Sequence, residues 1–344
     1  MSAQGPSQTR RNLLLAGIGG IAAIGGGTFL ATRGRHHPHK QPDGAYRQIK
    51  IGWPNSGSAP VLAVAAQKDF FAHYSLDVDL PFATINGEDT INALARGDIP
   101  YAVAPALTWL RHLYSGLNAQ LLIGLQPGNF RLLVRRSSRI TRLDQLMGRT
   151  VAVMDQNAAD KLFFAIMMRR KGLDAMNRIN WLDLPLPQID DAVRSQRIDA
   201  VVAHDYQAWW LLQSFPDLFI ELAGSNTGHY AERTSMVLGA SSSVLQDDPD
   251  AAIALVLALR DAARWTDTHR DDAATLIAPD ISDLSAASIR AMLHSEPAIR
   301  PVIGKSLREQ LAQYCDELQL VDLMPETENS AALARRYARN VLKE

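Results

Sequence analysis

Residues 92–104 read NALARGDIPYAVA, and residues 191–203 read DAVRSQRIDAVVA. The two stretches align without a gap at an offset of 99 positions. Each contains the end of an amphipathic helix, a short polar turn and an apolar run typical of a buried strand. Two lobes built on the same plan explain this repeat better than chance does.

The same alternation of strand and helix extends outward from both stretches. Strand-like apolar runs lie at 49–52 and 120–124 around the first stretch, and at 150–153 before the second. Helical spacing of apolar residues separates such runs, for example at 158–171. This order predicts an α/β fold in which each lobe is a mostly parallel sheet with flanking helices.

The last third of the chain is helical in pattern. Apolar residues recur at helical spacing at 249–268, 285–293, 304–318 and 330–342. We expect this helical C-terminal tail to pack back on one lobe.

The composition is that of an ordinary globular protein, with 47% hydrophobic and 21% charged residues. The formal net charge is −1, and the first 45 residues contain five basic residues and one acidic residue, so the remainder carries −5. A mildly acidic body lacks the basic surface that binds nucleic acid, and we expect no nucleic-acid partner. The single cysteine, Cys315, excludes an internal disulfide.

Paired arginines, Arg10 and Arg11, precede a glycine-rich apolar run at 13–31. This pattern is typical of a twin-arginine export signal and predicts a periplasmic protein, with residues 1–45 as signal and linker. One alternative is an ordinary signal in which the arginine pair occurs by chance. The other is an uncleaved N-terminal anchor, because no clear small-residue cleavage site follows the run.

Several short motifs, by their order and spacing, resemble the nitrate/sulfonate/taurine-type periplasmic substrate-binding proteins of ABC transporters. Thiamin-precursor-binding proteins belong to the same superfamily. The motifs are IKIG at 49–52, ALARGDI at 93–99, LLVR at 132–135, LDQLMGRTVAV at 143–153 and IDA at 198–200. The resemblance extends over residues 49–268 and departs from the family pattern at Ser75, at Pro100 and at His204 with Asp205.

The resemblance implies a type II periplasmic-binding-protein clamp whose crossing strands lie at 132–135 and 236–239. Lobe I then comprises residues 46–133 and 238–344, and lobe II comprises residues 134–237. The implied function is that of an extracytoplasmic solute-binding protein of an ABC importer, which holds a small sulfonate-, taurine- or nitrate-like anion between its lobes. The expected partners are permease and ATPase subunits, and we expect a monomer without cofactor or metal.

Ligands of open α/β sheets bind beyond the carboxyl ends of the strands, and this rule selects the candidate ligand-binding residues. In lobe I they are Asn55, Ser56, Ser58, Gly87, Glu88, Ala106, Gln126 and Asn129. In lobe II they are Asp155, Gln156, Asn157, His204 and Asp205, with Tyr230 and Arg233 just before the return crossing. Several of these loops lead into helix N-termini, which bind anions readily.

Each candidate also has a structural interpretation. Ser58 and Glu88 can cap helices instead of touching a ligand. Arg233 is the strongest candidate for the charge that holds an anion, but it can instead form a structural pair with Glu232 or Asp205.

Two other functions stay open. The first is a biosynthetic enzyme on the same fold, of the thiamin-precursor or menaquinone type. The chain contains no nucleophile–base motif, phosphate loop or paired metal-ligand motif, and an export signal does not suit a cytoplasmic synthesis, so we predict that it is not an enzyme. The second is a sensor that presents its ligand to a membrane receptor, which the sequence does not separate from a transport protein.

Overall fold

The buried strands assemble into two five-stranded sheets. The computed structural model describes residues 46–55, 57–81 and 87–342, so Arg10, Arg11 and Ser56 lie outside the described residues. The strands are β1 (Arg47–Gly52), β2 (Leu76–Asp79), β3 (Tyr101–Pro105), β4 (Ala119–Pro127), β5 (Phe130–Arg135), β6 (Thr150–Val153), β7 (Asn180–Asp183), β8 (Ala200–His204), β9 (Phe219–Gly224) and β10 (Thr234–Ser241).

The two sheets have the same topology. The first has the order β2-β1-β3-β10-β4 and the second the order β7-β6-β8-β5-β9. In each sheet the first three strands of this order run parallel. The fourth strand, β10 in the first sheet and β5 in the second, pairs antiparallel with the third strand, β3 or β8. We call the first sheet with its helices lobe I and the second sheet with its helices lobe II.

The strands at the centre of this plan are β3 and β8. They begin and end 99 positions apart in the chain, as the repeat predicts. Both are buried along nearly their whole length, which explains why their sequences are apolar runs without alternation. The α/β fold class and the two similar lobes are therefore confirmed.

The chain passes from lobe I to lobe II at residues 128–129 and returns at residues 225–233. The segments expected to cross, 132–135 and 236–239, are instead parts of β5 and β10 that are already paired within one sheet. The sheets thus divide the chain a few residues before the predicted limits. An apolar run identifies a buried strand, but its sequence does not say to which sheet the strand pairs.

Helices cover both sheets. Those between the strands of lobe I are α1 (Pro60–Gln67), α2 (Phe70–His73), α3 (Gly87–Arg96) and α4 (Ala106–Tyr114). Those of lobe II are α5 (Ala159–Arg169), α6 (Ala175–Arg178), α7 (Ile189–Arg194) and α8 (Gln207–Ser214). After β10 follow α9 (Ser242–Asp247), α10 (Pro249–Thr268), α11 (Arg270–Ile277), α12 (Ala286–Ser295), α13 (Gly304–Leu320) and α14 (Ser330–Tyr337).

Local sequence explains where the longest helix begins. Pro249 is the first residue of α10, a position where its missing N–H costs nothing. The Asp248 carboxylate caps the helix by accepting from the Ala251 amide at 3.0 Å. By contrast, α14 ends before the predicted residue 342, because the Arg339 amide donates to the Leu121 carbonyl of β4 and draws the chain onto the sheet edge.

We expected the C-terminal helices to pack on one lobe, but they contact both. Helix α10 packs against α1 and β4 of lobe I, whereas α13 contacts α4 of lobe I and α5 of lobe II. At the end of α5, Arg169 Nε donates to the Leu320 carbonyl at 3.0 Å and Arg170 Nη2 donates to Glu317 at 2.9 Å. In the ranges that the structure describes, no helix is both long and apolar enough to cross a membrane.

Candidate ligand-binding cleft

A cleft lies between the lobes, and the empty space at its lining amounts to about 430 Å³ when the open solvent at its mouth is included. Both lobes contribute to its lining, which consists of Pro54, Ser58, Gly87, Glu88, Pro105, Thr108, Asn129, Phe130, Ala158, Ala159, Asp160, His204 and Met236.

Strand ends and helix starts position most of these side chains. Pro105 is the last residue of β3 and His204 the last residue of β8, so the two equivalent strands meet at the cleft. Gly87 and Ala159 begin α3 and α5, whose N-terminal turns face the same space. The cleft therefore occupies the place where an α/β fold binds its ligand.

Five predicted residues line the cleft, and they are Ser58, Gly87, Glu88, Asn129 and His204. The other described candidates are not part of the lining, and they are Asn55, Ala106, Gln126, Asp155, Gln156, Asn157, Asp205, Tyr230 and Arg233. The predicted residues thus fall partly in the lining of this cleft and partly outside it.

Hydrogen bonds to the backbone of Asp205 join the lobes at the floor of the cleft. Ser58 Oγ of lobe I donates to the Asp205 carbonyl at 3.0 Å, and Asn129 Nδ2 donates to the same oxygen at 3.3 Å. The Asp205 amide in turn donates to the Asn129 carbonyl at 3.0 Å. These bonds tie the end of β8 to the passage between the lobes.

Two further candidates hold Ser58 in place. Asn55 Oδ1 accepts from the Ser58 amide at 2.9 Å, and Gln126 Nε2 donates to the Ser58 carbonyl at 3.1 Å. Both side chains therefore act on the loop before α1. Ala106 has a different place, since it is buried in the hydrophobic core at the start of α4.

A buried ion pair lies behind the floor. The Asp205 side chain is fully buried, and Arg131 Nε and Nη2 donate to its oxygens at 2.7 to 2.9 Å. Arg131 Nη1 also donates to Glu221 at 2.7 Å. Burial raises the pKa of Asp205, against the opposing effect of Arg131. The Asp205 carboxylate is thus part of a structural cluster and not of the cleft lining.

The same cluster contains Glu296, a residue that sequence reasoning missed. Its carboxyl group is buried, and its Oε1 has no hydrogen-bond partner among the described residues. Burial, and then the charge of Asp205, raise the pKa of Glu296 to about 8. Burial and the approach of Asp205, which is distant in sequence, create this environment, whereas the Asn129 side chain opposes the shift, so no local signal could have revealed it.

Glu88 lines the cleft, and its carboxylate has two basic partners on α4. Arg111 Nη1 pairs with Glu88 Oε1 at 3.0 Å, and His112 Nε2 lies 2.8 Å from Oε2. Arg111 also reaches across to lobe II, where Nη1 donates to the Asn157 carbonyl at 3.0 Å. This arginine therefore connects the two lobes at the rim of the cleft.

His204 forms a pair with a second carboxylate of the lining. Its Nδ1 lies 3.3 Å from Asp160 Oδ2, and Asp160 is only 2% exposed. Asp160 lies in the first turn of α5, and the sequence analysis did not single it out. The contact brings together residues 44 positions apart in the chain.

In the loop after β6, Ala158 lines the cleft, whereas Asp155, Gln156 and Asn157 do not. Asp155 Oδ1 accepts from the Asn157 amide at 2.7 Å and stabilises a turn. Gln156 is exposed and donates to the Trp181 carbonyl at 3.2 Å.

Arg233 does not lie in the cleft. Its Nη1 and Nη2 donate to the two oxygens of the buried Glu317 at 2.6 and 2.8 Å, and its guanidinium lies 3.8 Å from the centre of the Tyr314 ring. The structural interpretation applies, but the partner is on α13 and not Glu232 or Asp205. Tyr230 lies next to this pair and packs edge-on against Phe163 of lobe II at 4.8 Å.

The remaining missed residues of the lining are mostly apolar. Phe130 begins β5 and Met236 lies in β10, next to the passages between the lobes, and Thr108 lies in the first turn of α4. Their types resemble those of core residues, so the sequence gives no reason to separate them from the core. Among the described residues, no group of three His, Cys, Asp or Glu side chains is arranged to hold a metal ion.

Several solved structures have a similar fold at low sequence identity. The periplasmic aliphatic sulphonate-binding protein SsuA from Escherichia coli aligns with a TM-score of 0.70 at 16% identity, over 86% of this chain and 93% of that chain. The alkanesulfonate-binding protein SsuA from Xanthomonas axonopodis pv. citri, bound to MOPS, aligns with a TM-score of 0.70 at 18% identity, over 85% and 99%. The periplasmic nitrate-binding protein NrtA from Synechocystis PCC 6803 aligns with a TM-score of 0.67 at 14% identity, over 86% and 87%.

These similarities confirm the predicted periplasmic-binding-protein fold. No curated protein matches the chain by sequence. A family model described as NMT1/THI5 like matches residues 55–273, well over half of the chain. The chain therefore belongs to the NMT1/THI5-like family.

Proposed function

We propose that the chain is the extracytoplasmic solute-binding component of an ABC importer and holds one small solute between its lobes. The observation that carries this proposal is the cleft, which both lobes line at the equivalent strand ends Pro105 and His204. Two lobes joined by two short passages can close on a solute by hinge motion, and a transporter can recognise the closed form. The shared fold with sulfonate- and nitrate-binding proteins supports the same function.

Location and partners belong to this proposal. Export through a twin-arginine signal at Arg10 and Arg11 would bring the protein to the periplasm, where its partners are the permease of an importer and, through the permease, the ATPase subunits. One chain contributes both walls of the cleft, so a monomer without cofactor or metal suffices for binding.

The first experiment measures binding and closure together. The full-length chain is screened by thermal shift against taurine, alkanesulfonates, nitrate, carboxylates and organic amines. A ligand at a hundred times its dissociation constant stabilises the folded protein by about 2.7 kcal/mol. Spin labels on the exposed positions Asp98 of lobe I and Asn180 of lobe II then report the distance between the lobes. We expect the stabilising solute to shorten this distance, and a solute that binds without any closure would contradict the transport function.

The proposal also includes the absence of a chemical step. A solute incubated with the protein should be recovered unchanged, as measured by mass spectrometry. Conversion to a product would instead favour the biosynthetic enzyme on the same fold.

A further inference from the structure

The charges around the cleft differ from those that an anion needs. Two carboxylates, Glu88 and Asp160, and one imidazole, His204, line it, whereas no lysine or arginine of the described residues does. Ser56 and residues 82–86, which the structure does not describe, contain no charged residue in the sequence.

The arginines that bond to residues in and behind the cleft are already engaged. Arg111 pairs with Glu88 and donates to Asn157, and Arg131 lies behind the floor with Asp205. A buried sulfonate or carboxylate normally binds to an arginine or lysine that is available for charge-assisted hydrogen bonds. Recruiting one of these arginines would leave a buried carboxylate without its partner, which is costly.

Asp160 gives the lining its excess of negative charge. It is nearly fully buried; its Oδ1 accepts from the Lys161 amide at 2.7 Å, and its Oδ2 lies 3.3 Å from His204 Nδ1, a partner that is charged only when the imidazole is protonated. Behind the floor, Asp205 and Glu221 share the single charge of Arg131. Charges interact strongly where water is excluded, so these carboxylates repel an incoming anion and attract a cation, against the opposing field of the N-terminal turns of α3 and α5.

The apolar part of the lining is suited to an organic body. Phe130 lies in the lining, with its ring centre 5.2 Å from that of Phe163, and Met236 contributes a thioether. An aromatic ring attracts a cation and also packs against carbon. The site thus combines carboxylate acceptors with aromatic and aliphatic surface.

We propose that the solute is an organic molecule with a cationic nitrogen group that carries N–H donors, an ammonium or an amidinium. Asp160 and Glu88 accept its hydrogen bonds, while Phe130 and Met236 pack against its carbon body. The inference rests on the proposed function and differs from the small anion that the sequence predicts.

Benzamidine and benzoate test this charge preference, since both are planar, similar in size and opposite in charge. Each is titrated into the full-length chain at neutral pH in an isothermal calorimeter. We expect benzamidine to bind about tenfold more tightly, a difference of about 1.4 kcal/mol. Equal or tighter binding of benzoate overturns the inference, and so does the absence of benzamidine binding at millimolar concentration.

Matched variants test whether Asp160 is responsible for the preference for benzamidine. Asp160→Asn should reduce benzamidine affinity about tenfold, because it removes one charge-assisted hydrogen bond. Asp98→Asn is the control, since its carboxylate pairs with Arg96 on the surface of lobe I and should not affect either probe. If Asp160→Asn does not fold, Glu88→Gln carries the same test. Unchanged affinity in a folded variant contradicts the assignment.

The outcomes separate this inference from the proposed function. Closure of the lobes around benzoate would overturn the cationic solute and keep the solute-binding function. Binding of benzamidine with no change in the distance between the lobes would support the charge preference and contradict the transport function.

Discussion

Single residues at equivalent positions of the two lobes differ in how well they suit their backbone conformation. Gly97 after α3 and Gln196 after α7 lie 99 positions apart, and both have a left-handed backbone, with φ of 83° and 58°. Both helices end with the same pair of backbone hydrogen bonds, from Gly97 and Asp98 in lobe I and from Gln196 and Arg197 in lobe II. Glycine adopts this conformation freely, whereas a residue with a Cβ pays for it.

Exchanging these residues tests that difference. Gln196→Gly should raise the free energy of unfolding by about 0.5–1 kcal/mol, and Gly97→Gln should lower it by about 1 kcal/mol. A Cβ at position 97 meets no atom within 4 Å, so the second effect is purely conformational. Urea unfolding measures both variants. Destabilisation by glycine at 196 would show that the Gln196 side chain stabilises the turn in another way.

Glu296 makes the stability depend on pH. The unfolded chain releases this proton near the ordinary value of 4.5, whereas the folded protein keeps it up to about pH 8. The folded state therefore binds more protons between these values, and stability falls as the pH rises through this window. Glu296→Gln imitates the protonated acid and removes the loss.

We expect Glu296→Gln to exceed the wild type in free energy of unfolding by about 1–2 kcal/mol at pH 8 and to match it near pH 5. Urea unfolding at the two pH values measures the difference. Glu326→Gln, on an exposed loop, is the matched control and should have no effect at either pH. A gain that is the same at both pH values would contradict the role of the Glu296 proton.

At the scale of secondary-structure elements, a buried ion pair connects the segment before β10 to α13. Arg233 and Glu317 are each almost fully buried, and their two hydrogen bonds join residues 84 positions apart in the chain. Arg170 from α5 donates to the same carboxylate. This contact holds α13 against the segment by which the chain returns to lobe I.

Arg233→Ala leaves the Glu317 carboxylate buried without its main partner, and should cost about 3–5 kcal/mol of stability. Glu309→Ala, which removes an exposed pair with Lys305, should change stability by less than about 0.5 kcal/mol. Thermal unfolding compares the two variants. A small cost for Arg233→Ala, together with a large loss of solute affinity, would return Arg233 to the ligand site.

At the scale of the whole molecule, contacts other than the two passages hold the lobes together. Arg111 connects the rim of lobe I to Asn157 of lobe II, and α13 packs on helices of both lobes. A binding protein must balance such contacts against opening, because a solute shifts the population only by its preference for one form.

Arg111→Gln should shift the solute-free protein toward a more open form. The variant loses a charge-assisted hydrogen bond between the lobes, which is worth about 1.5 kcal/mol or roughly a tenfold change in the ratio of forms. The distance between spin labels at Asp98 and Asn180 measures the opening. Arg142→Gln, whose partner Asp144 is close in sequence and exposed, is the control. An unchanged distance distribution would mean that Arg111 does not contribute to closure.

The sequence by itself determined the strands, most of the helices and the two-lobed plan. Apolar periodicity and capping residues act within a few positions of the chain, so a stretch such as 92–104 carries its own structure. The same local logic identified the loops at the strand ends, and with them Ser58, Glu88, Asn129 and His204 of the cleft.

Only the tertiary structure decided which sheet each crossing strand joins and which charges remain in the cleft. Arg233 was a candidate for the ligand because its partner, Glu317, lies 84 positions away, and Asp160 meets His204 only because α5 packs against β8. Such assignments depend on contacts between distant segments. The charge of a binding site is what remains after those contacts form, and no local pattern contains that information.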